Sequence, residues 1–239
     1  MEIFTQTGGM MLSRWGHYLA GVTWIGLLYY FNFVQVPSFA AFEAGPRTES
    51  VRKLVPRALW WFRYGALLTV LTGISILAFQ VQLDGDYFKT SQGISISVGI
   101  LLALIMFLNV WGVIWPNQKK FIANAEATAT GGQAVADAAT AARKAACASR
   151  TNTLFSIPML FFMGATSHFA GVFERTPPGG DRALFWLVTL ALVIVIEAIA
   201  LSAPAAGAST AWHIDDHKNT IIAGFVLWAI LLVLFEVLF

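Results

Sequence analysis

The sequence predicts an all-α integral membrane protein, a single domain built as a bundle of six transmembrane helices. Of the 239 residues, 57% are hydrophobic and only 12% are charged, about half the charged fraction of a soluble domain. The mean hydropathy is +0.68. The apolar residues also cluster into runs of roughly 20, the length that crosses ~30 Å of hydrocarbon. These three observations leave no room for a sizeable soluble domain.

The six apolar runs define the expected spans. We place them at about 12–37, 58–81, 93–116, 152–173, 183–204 and 220–239. The first run is too long for the core of a cleaved signal peptide, and it contains polar residues such as Asn32. Pro116 is expected to end the third span, and Pro158 to kink the fourth. Segment 117–151 is the one long polar stretch. Its alanine content and the Gly131-Gly132 break predict two helical arms that extend spans three and four into the cytoplasm.

The basic residues predict the orientation of these spans. One side carries ten of them, namely Arg47, Arg52, Lys53, Arg57, Lys119, Lys120, Arg143, Lys144, Arg150 and Lys218. The other side carries four, namely Arg14, Lys89, Arg175 and Arg182. The positive-inside rule therefore predicts a multi-pass protein with both termini outside and the two basic loops in the cytoplasm.

Cysteine content and charge exclude several classes of function. Cys147 is the single cysteine, which excludes an internal disulfide, a thiolate zinc site and a covalently attached c-type haem. The formal net charge of +2 gives no indication of nucleic-acid binding.

Two histidines lie inside predicted spans at matching depths. His17 and His168 are each about five residues, or roughly 7 Å, from the periplasmic surface. An ionisable residue in hydrocarbon is costly and needs a partner. Two imidazoles facing each other across a helix bundle suit the iron of a haem. We therefore expect one bis-histidine haem b, with a structural pair and a non-haem metal site as the alternatives.

The other two histidines precede the last span. If that loop is helical, His213 and His217 share one face through their i, i+4 spacing. Such a pair can bind a metal beside Asp215 or Asp216, or handle substrate or protons. It cannot hold one haem from opposite sides. The alternative is a solvated polar turn.

Further polar residues gather in the cytoplasmic half of the spans. Arg63, Glu197, Asn109 and Asn32 are the candidate catalytic residues of a polar cavity that takes a small anionic substrate. A mutual pair would reduce the cost of burying Arg63 and Glu197, although Arg63 can also snorkel to the interface. Glu197 is the candidate proton acceptor.

Three motifs resemble the membrane domain of bacterial urate hydroxylases, the urate oxidase N-terminal domain family. They cover 15–26 (WGHYLAGVTWIG), 109–119 (NVWGVIWPNQK) and 149–159 (SRTNTLFSIPM), with His168 following. The resemblance runs over nearly the whole chain. It implies oxidation of urate to 5-hydroxyisourate, with electrons passed to a c-type cytochrome. It also implies a location in a bacterial inner membrane, where the predicted orientation puts both termini in the periplasm.

The sequence departs from that family in one respect. Full-length members carry a C-terminal cytochrome c domain after the last span, whereas this sequence stops at Phe239. The expected acceptor is then a separate c-type cytochrome or a larger electron-transfer complex. The competing interpretation is a non-catalytic, haem-carrying or scaffolding subunit of a respiratory or photosynthetic complex. A channel or carrier ranks last, because no clear inverted repeat is present.

Overall fold

The computed structural model describes residues 2–79, 85–169, 175–202 and 211–239, and in these ranges the regular elements are helices. The helices are α1 (Gln6–Ala41), α2 (Ala44–Lys53), α3 (Val55–Phe79), α4 (Ser91–Ala129), α5 (Ala138–His168), α6 (Gly179–Leu201), the four-residue α7 (Trp212–Asp215) and α8 (His217–Leu238). Short 3₁₀ turns lie at Glu2–Phe4 and Tyr87–Lys89. The predicted all-α class is confirmed.

Five of these helices are long and apolar enough to cross a membrane, within the described ranges: α1, α3, α4, α6 and α8. They correspond to predicted spans one, two, three, five and six. The ends of three predicted spans, at 80–81, 170–173 and 203–204, lie outside the described residues. Apolar helices of this length indicate a membrane protein.

Helix α5, the counterpart of the predicted fourth span, is not among these five. It forms as a 31-residue helix through Pro158, but it carries buried polar side chains, including Thr151, Asn152 and Ser156. A helix enclosed by other helices has no need of an apolar surface on every side. The count of six spans therefore stays a prediction.

The structure places α5 at the centre of the bundle. This helix packs against α4, α8, α6 and one end of α1, whereas α1 packs mainly along α3. Large side chains that are almost fully buried fill the spaces between these helices, among them Trp24, Phe62, Phe155, Phe162, Phe185 and Phe235. The central position of α5 allows this one helix to contact polar side chains of α1 and α4.

The helix of the third span does not stop at Pro116, and the end of the membrane span at this residue stays a prediction. Helix α4 continues through this proline to Ala129. A π-helical turn, Asn109–Ile114, comes directly before Trp115 and Pro116. The wider turn removes the need for the backbone N–H that proline lacks, so the helix continues instead of ending.

Segment 117–151 contains the two predicted helical arms. Helix α4 extends to Ala129 and α5 begins at Ala138. Between them Gly131 has φ +72°, a conformation that glycine adopts without strain. Arg52 of α2 joins this region by donating to both carboxylate oxygens of Glu126, at 2.6 and 2.8 Å. The arms thus lie at the basic end of the bundle, and their cytoplasmic location stays a prediction.

Candidate functional site

A buried polar junction joins α4, α5 and α6. The Asn152 side chain donates to the Met106 carbonyl at 2.9 Å and accepts from Asn109 Nδ2 at 3.0 Å. Asn109 Nδ2 also donates to Glu197 Oε2 at 3.1 Å. Asn109 and Asn152 are 3% and 0% exposed. We refer to Asn109, Asn152 and Glu197 as the amide–carboxyl junction.

Two further hydrogen bonds connect α1 to the same central helix. Asn32 Nδ2 donates to Ser149 Oγ at 2.8 Å. The Tyr29 hydroxyl lies 2.8 Å from Ser156 Oγ. Ser156 directs its own proton to the Thr153 carbonyl at 2.7 Å, so Tyr29 is the donor in this pair. Polar residues of α5 therefore contact α1 and the amide–carboxyl junction along one continuous stretch of helix.

Both asparagines that reach α5 lie in π-helical turns. Asn32 is within Tyr30–Gln35, and Asn109 opens Asn109–Ile114. Each turn is followed by a proline, Pro37 or Pro116, seven residues after the turn begins. Proline clashes with the carbonyl four residues before it, and a wider turn relieves this clash. π-Helical turns in α-helices occur frequently at functional sites, so the repeated arrangement supports this region as the candidate site.

Glu197 is the one carboxyl group of the junction. It lies within α6, is partly buried, and accepts a hydrogen bond from a neutral amide. An ionised carboxylate in hydrocarbon without a cationic partner is costly. The site therefore offers a group that can exchange a proton beside two carboxamides, which donate and accept hydrogen bonds in fixed directions.

Of the two arrangements considered for Arg63, the pair with Glu197 is not formed. Arg63 Nε donates to the Leu59 carbonyl at 3.2 Å, and the guanidinium carbon lies 3.4 Å from the centre of the Trp115 ring. Arg63 thus interacts with an aromatic surface between α3 and α4, whereas Glu197 bonds to Asn109. The structure brings together Asn109 and Glu197 from the predicted catalytic set, places Asn32 on Ser149, and places Arg63 elsewhere.

His17 has a geometry that suits a metal ligand. Its Nδ1 lies 3.1 Å from Thr72 Oγ1. The Thr72 hydroxyl proton is directed to the Leu68 carbonyl at 2.6 Å, so the Thr72 oxygen accepts from Nδ1–H. This assigns the tautomer in which Nε2 carries a free lone pair. The Cα of Gly73 packs against the same ring, where an added Cβ would lie 3.3 Å from Cε1.

His168 lies at the last residue of α5 with an exposed side chain. In the described part of the chain no hydrogen bond or ring contact joins it to His17. His17 offers an unprotonated ring nitrogen, and the ligation of a haem by His17 and His168 stays a prediction. The described residues also contain no cluster of three or more His, Cys, Asp or Glu side chains that could hold a metal ion.

The condition under which His213 and His217 would share one helical face, a continuous helix between them, is not met. Asp216 is extended, with φ −132° and ψ 144°, and separates α7 from α8. Arg150 holds this segment by donating to the carbonyls of Ile214 and Asp215, at 2.8 and 2.7 Å. The segment is a fixed connection at the basic end of the bundle. Burial lowers the pKa of the His213 imidazole, against the opposing charge of Asp215.

Several residues of the site were not identified from the sequence. Tyr29, Ser149 and Ser156 were not named as site residues, although the last two lie in the third motif. The available signal is the spacing of Ser149, Asn152 and Ser156, which places small polar side chains at successive turns of one helix. Tyr29 has no such signal, because only the packing of α1 on α5 brings its hydroxyl to Ser156.

Comparison with known proteins identifies one family. The sequence model of the family described as "Urate oxidase N-terminal" matches residues 85–234, more than half of the chain. The match begins just before α4 and includes α5, α6 and most of α8, so it covers all three residues of the amide–carboxyl junction. Searches of curated proteins and of solved structures found no match.

Proposed function

Because this chain belongs to the urate oxidase N-terminal family, we propose that it oxidises urate to 5-hydroxyisourate beside the amide–carboxyl junction. The observation that carries the proposal is the position of this junction. It lies within the part of the chain that matches the family, and it presents two carboxamides and a carboxyl group where α4, α5 and α6 meet.

The chemistry of the junction suits a purine. Urate presents alternating N–H donors and carbonyl acceptors around two fused rings. Carboxamides can match such an edge, because each provides an acceptor and two donors in one plane. Asn109 and Asn152 already hold each other at 3.0 Å, which fixes their orientation before substrate binds. In this proposal the Oδ1 of Asn109 accepts from a ring N–H, since its Nδ2 donates to Asn152 and Glu197, and Asn152 positions Asn109.

Glu197 receives a proton in the proposed reaction. A water oxygen bonds to C5 of urate, two electrons leave the ring, and two protons are released. Glu197 takes the proton of the attacking water, as a general base, and Asn109 holds its carboxyl group through the 3.1 Å hydrogen bond. The two electrons pass singly to a c-type cytochrome, which we propose is a separate protein or part of a larger complex.

A haem b held by His17 and His168 would supply one-electron transfer toward that acceptor. His17 contributes a free Nε2, and Thr72 fixes its ring. His17 and Asn32 are fifteen residues apart on α1, about 22 Å along the helix axis. The substrate and the haem would therefore lie in opposite halves of the bundle, with electrons leaving at the end away from the basic loops.

The first experiment measures urate consumption by purified protein with oxidised cytochrome c as acceptor. We expect wild-type turnover and a fall in kcat of roughly 10²-fold or more for Glu197→Gln, the scale of a lost general base. Asn117→Leu is the matched control, since Asn117 bonds only to the Val113 carbonyl of its own helix. Wild-type protein that reduces no one-electron acceptor with urate would overturn the proposal.

The haem is tested separately by visible spectra of oxidised and dithionite-reduced protein. We expect a six-coordinate b-type spectrum that is lost in both His17→Ala and His168→Ala. A Thr72→Val variant should keep the haem but shift its reduction potential, because Thr72 holds the His17 ring. A colourless wild-type protein would overturn the haem assignment and leave urate oxidation to be judged by the turnover assay.

A scaffolding subunit is the second candidate, and one observation favours it. Asn32, Asn109 and Asn152 already bond to neighbouring side chains across helix interfaces. Polar bonds of this kind also hold helices together without any catalytic role. Binding of urate, measured by calorimetry on wild type and Asn109→Leu, separates the two functions, because a scaffold binds urate in neither protein.

A further inference from the structure

We propose that the aromatic surface between α3 and α4 binds the phosphate group of an anionic phospholipid. This surface consists of Trp60, Arg63, Tyr64, Trp111, Trp115 and Lys119. It lies between α3 and α4, whereas the amide–carboxyl junction lies where α4, α5 and α6 meet, and it does not depend on the proposed urate chemistry.

The aromatic rings of this surface contact one another across the two helices. The Trp60 and Tyr64 rings are 4.7 Å apart, and the Tyr64 ring meets that of Trp111 edge-on at 5.9 Å. Trp60 is 47% exposed and Tyr64 is 37% exposed. Side chains with an apolar body and a polar tip are typical of the boundary between hydrocarbon and headgroups. The rings therefore form a lipid-accessible wall at that boundary.

Two cations flank one ring of this wall. The Arg63 guanidinium carbon is 3.4 Å from the centre of the Trp115 ring, and Lys119 Nζ is 5.5 Å from the same centre. Arg63 directs Nε back along its helix to the Leu59 carbonyl, toward the basic end. Stacking and this bond fix the plane of the guanidinium, while its terminal nitrogens make no other hydrogen bond in the described residues. A planar, oriented guanidinium binds phosphate through two parallel bonds.

Positive charge is in excess at this end of the bundle, which favours binding of an anion. Arg52 forms salt bridges with Glu49 and Glu126, and Lys53 forms one with Glu49. No carboxylate in the described ranges pairs with Arg63, Lys119 or Arg57. Arg57 lies one turn before Trp60 and Trp61, and with Lys53 and Leu54 it lines an open groove of ≈ 540 Å³. Basic sites between transmembrane helices bind anionic lipid headgroups.

An anionic phospholipid fits this surface better than a soluble anion does. Exposed apolar side chains continue along the face of α3 that carries Arg63, including Leu71 and Ile74 two and three turns farther on. A lipid phosphate placed on Arg63 and Lys119 would lay its acyl chains along these residues. A free phosphate would interact with the two cations but would make no contact with these apolar side chains.

The test is native mass spectrometry of the full chain with equal amounts of phosphatidylglycerol and phosphatidylcholine. We expect wild type to retain phosphatidylglycerol preferentially. Arg63→Gln/Lys119→Gln should weaken this retention roughly tenfold or more, because both cations that face the phosphate are removed. Arg63→Lys, which keeps the charge but not the plane, should fall between them.

The matched control is Arg14→Gln/Arg182→Gln, which removes two positive charges from the opposite end of the bundle and should leave retention unchanged. Equal binding of both lipids by wild type would overturn the proposal. So would undiminished retention in the Arg63/Lys119 variant, or an equal loss in the control, which would indicate a general effect of charge. Displacement of the lipid by inorganic phosphate or by urate would assign the surface to a soluble anion instead. Circular dichroism checks that each variant is folded.

Discussion

At the scale of single residues, asparagine side chains form the hydrogen bonds that join the helices. In hydrocarbon the hydrophobic effect does not drive helices together, so packing and interhelical hydrogen bonds define their arrangement. Asn152 bonds to both a backbone carbonyl and a side chain of α4. Replacing Asn152 therefore removes two hydrogen bonds between α4 and α5 at once.

We expect Asn152→Leu to lower the free energy of unfolding by about 1–2 kcal/mol, since interhelical hydrogen bonds are worth ~0.6 kcal/mol on average and up to ~1.7. SDS titration followed by circular dichroism measures this change. Asn117→Leu removes an intrahelical bond of similar length, 2.8 Å, and should have a smaller effect. Equal stability of the two variants would show that the junction does not hold α4 on α5.

The buried imidazole of His213 predicts a pH dependence. Burial lowers its pKa below the ordinary 6.5, although Asp215 opposes this shift. The unfolded chain therefore binds a proton at a higher pH than the folded one does. This difference costs stability as the pH falls below about 6.5.

The melting temperature of wild type should consequently fall between pH 7.5 and pH 5, and His213→Gln should show a smaller fall. Differential scanning fluorimetry at several pH values provides the comparison. His217, which lies 3.3 Å from Asp216, supplies a control in His217→Gln. A wild-type curve that matches the His213→Gln curve at every pH would contradict the prediction.

At the scale of helices, close backbone approach decides which segments pair. Gly65 of α3 lies against α1, and a Cβ built there would be 3.2 Å from the Trp24 backbone nitrogen and 3.4 Å from the Ala20 carbonyl. These neighbours are backbone atoms of α1, which cannot move aside as the end of a flexible side chain can. Small residues at such crossings are typical of membrane helices.

Gly65→Val should therefore destabilise the protein by about 1–3 kcal/mol through overpacking. Gly26→Val is the matched control, because a Cβ at Gly26 meets nothing within 4 Å while the change in helix propensity is the same. Thermal unfolding of both variants, followed by tryptophan fluorescence, makes the comparison. A variant pair with equal midpoints would show that α1 and α3 tolerate a wider separation.

At the scale of the whole molecule, the distribution of basic residues predicts an orientation in the membrane. Cys147 is the single cysteine and is 0% exposed, so the wild-type chain should resist a membrane-impermeant maleimide. This makes it a suitable background for single introduced cysteines.

In intact cells we expect Asp86→Cys to be labelled and Lys120→Cys to be protected until the membrane is permeabilised. Asp86 lies in the connection before α4, and Lys120 lies in the arm beyond Pro116. The expected result places both termini in the periplasm. The reverse pattern would invert the orientation and place the amide–carboxyl junction nearer the periplasmic side.

Composition and hydropathy were sufficient to predict an all-α membrane protein and to locate its long helices. Three motifs were sufficient to identify the family. These properties are local, because the apolar length of a segment and the identity of a motif do not depend on the other helices. The same holds for the two helical arms, which follow from alanine content and a glycine break.

Tertiary packing alone decided which polar side chains meet. The sequence placed Arg63 and Glu197 in one cavity, but Arg63 stacks on Trp115 and Glu197 bonds to Asn109. The rotation of each helix about its axis decides such partners, and two π-helical turns alter that rotation in α1 and α4. Proline marks these turns in the sequence, but whether a helix ends there or widens depends on the neighbours that hold it, and only the assembled bundle supplies them.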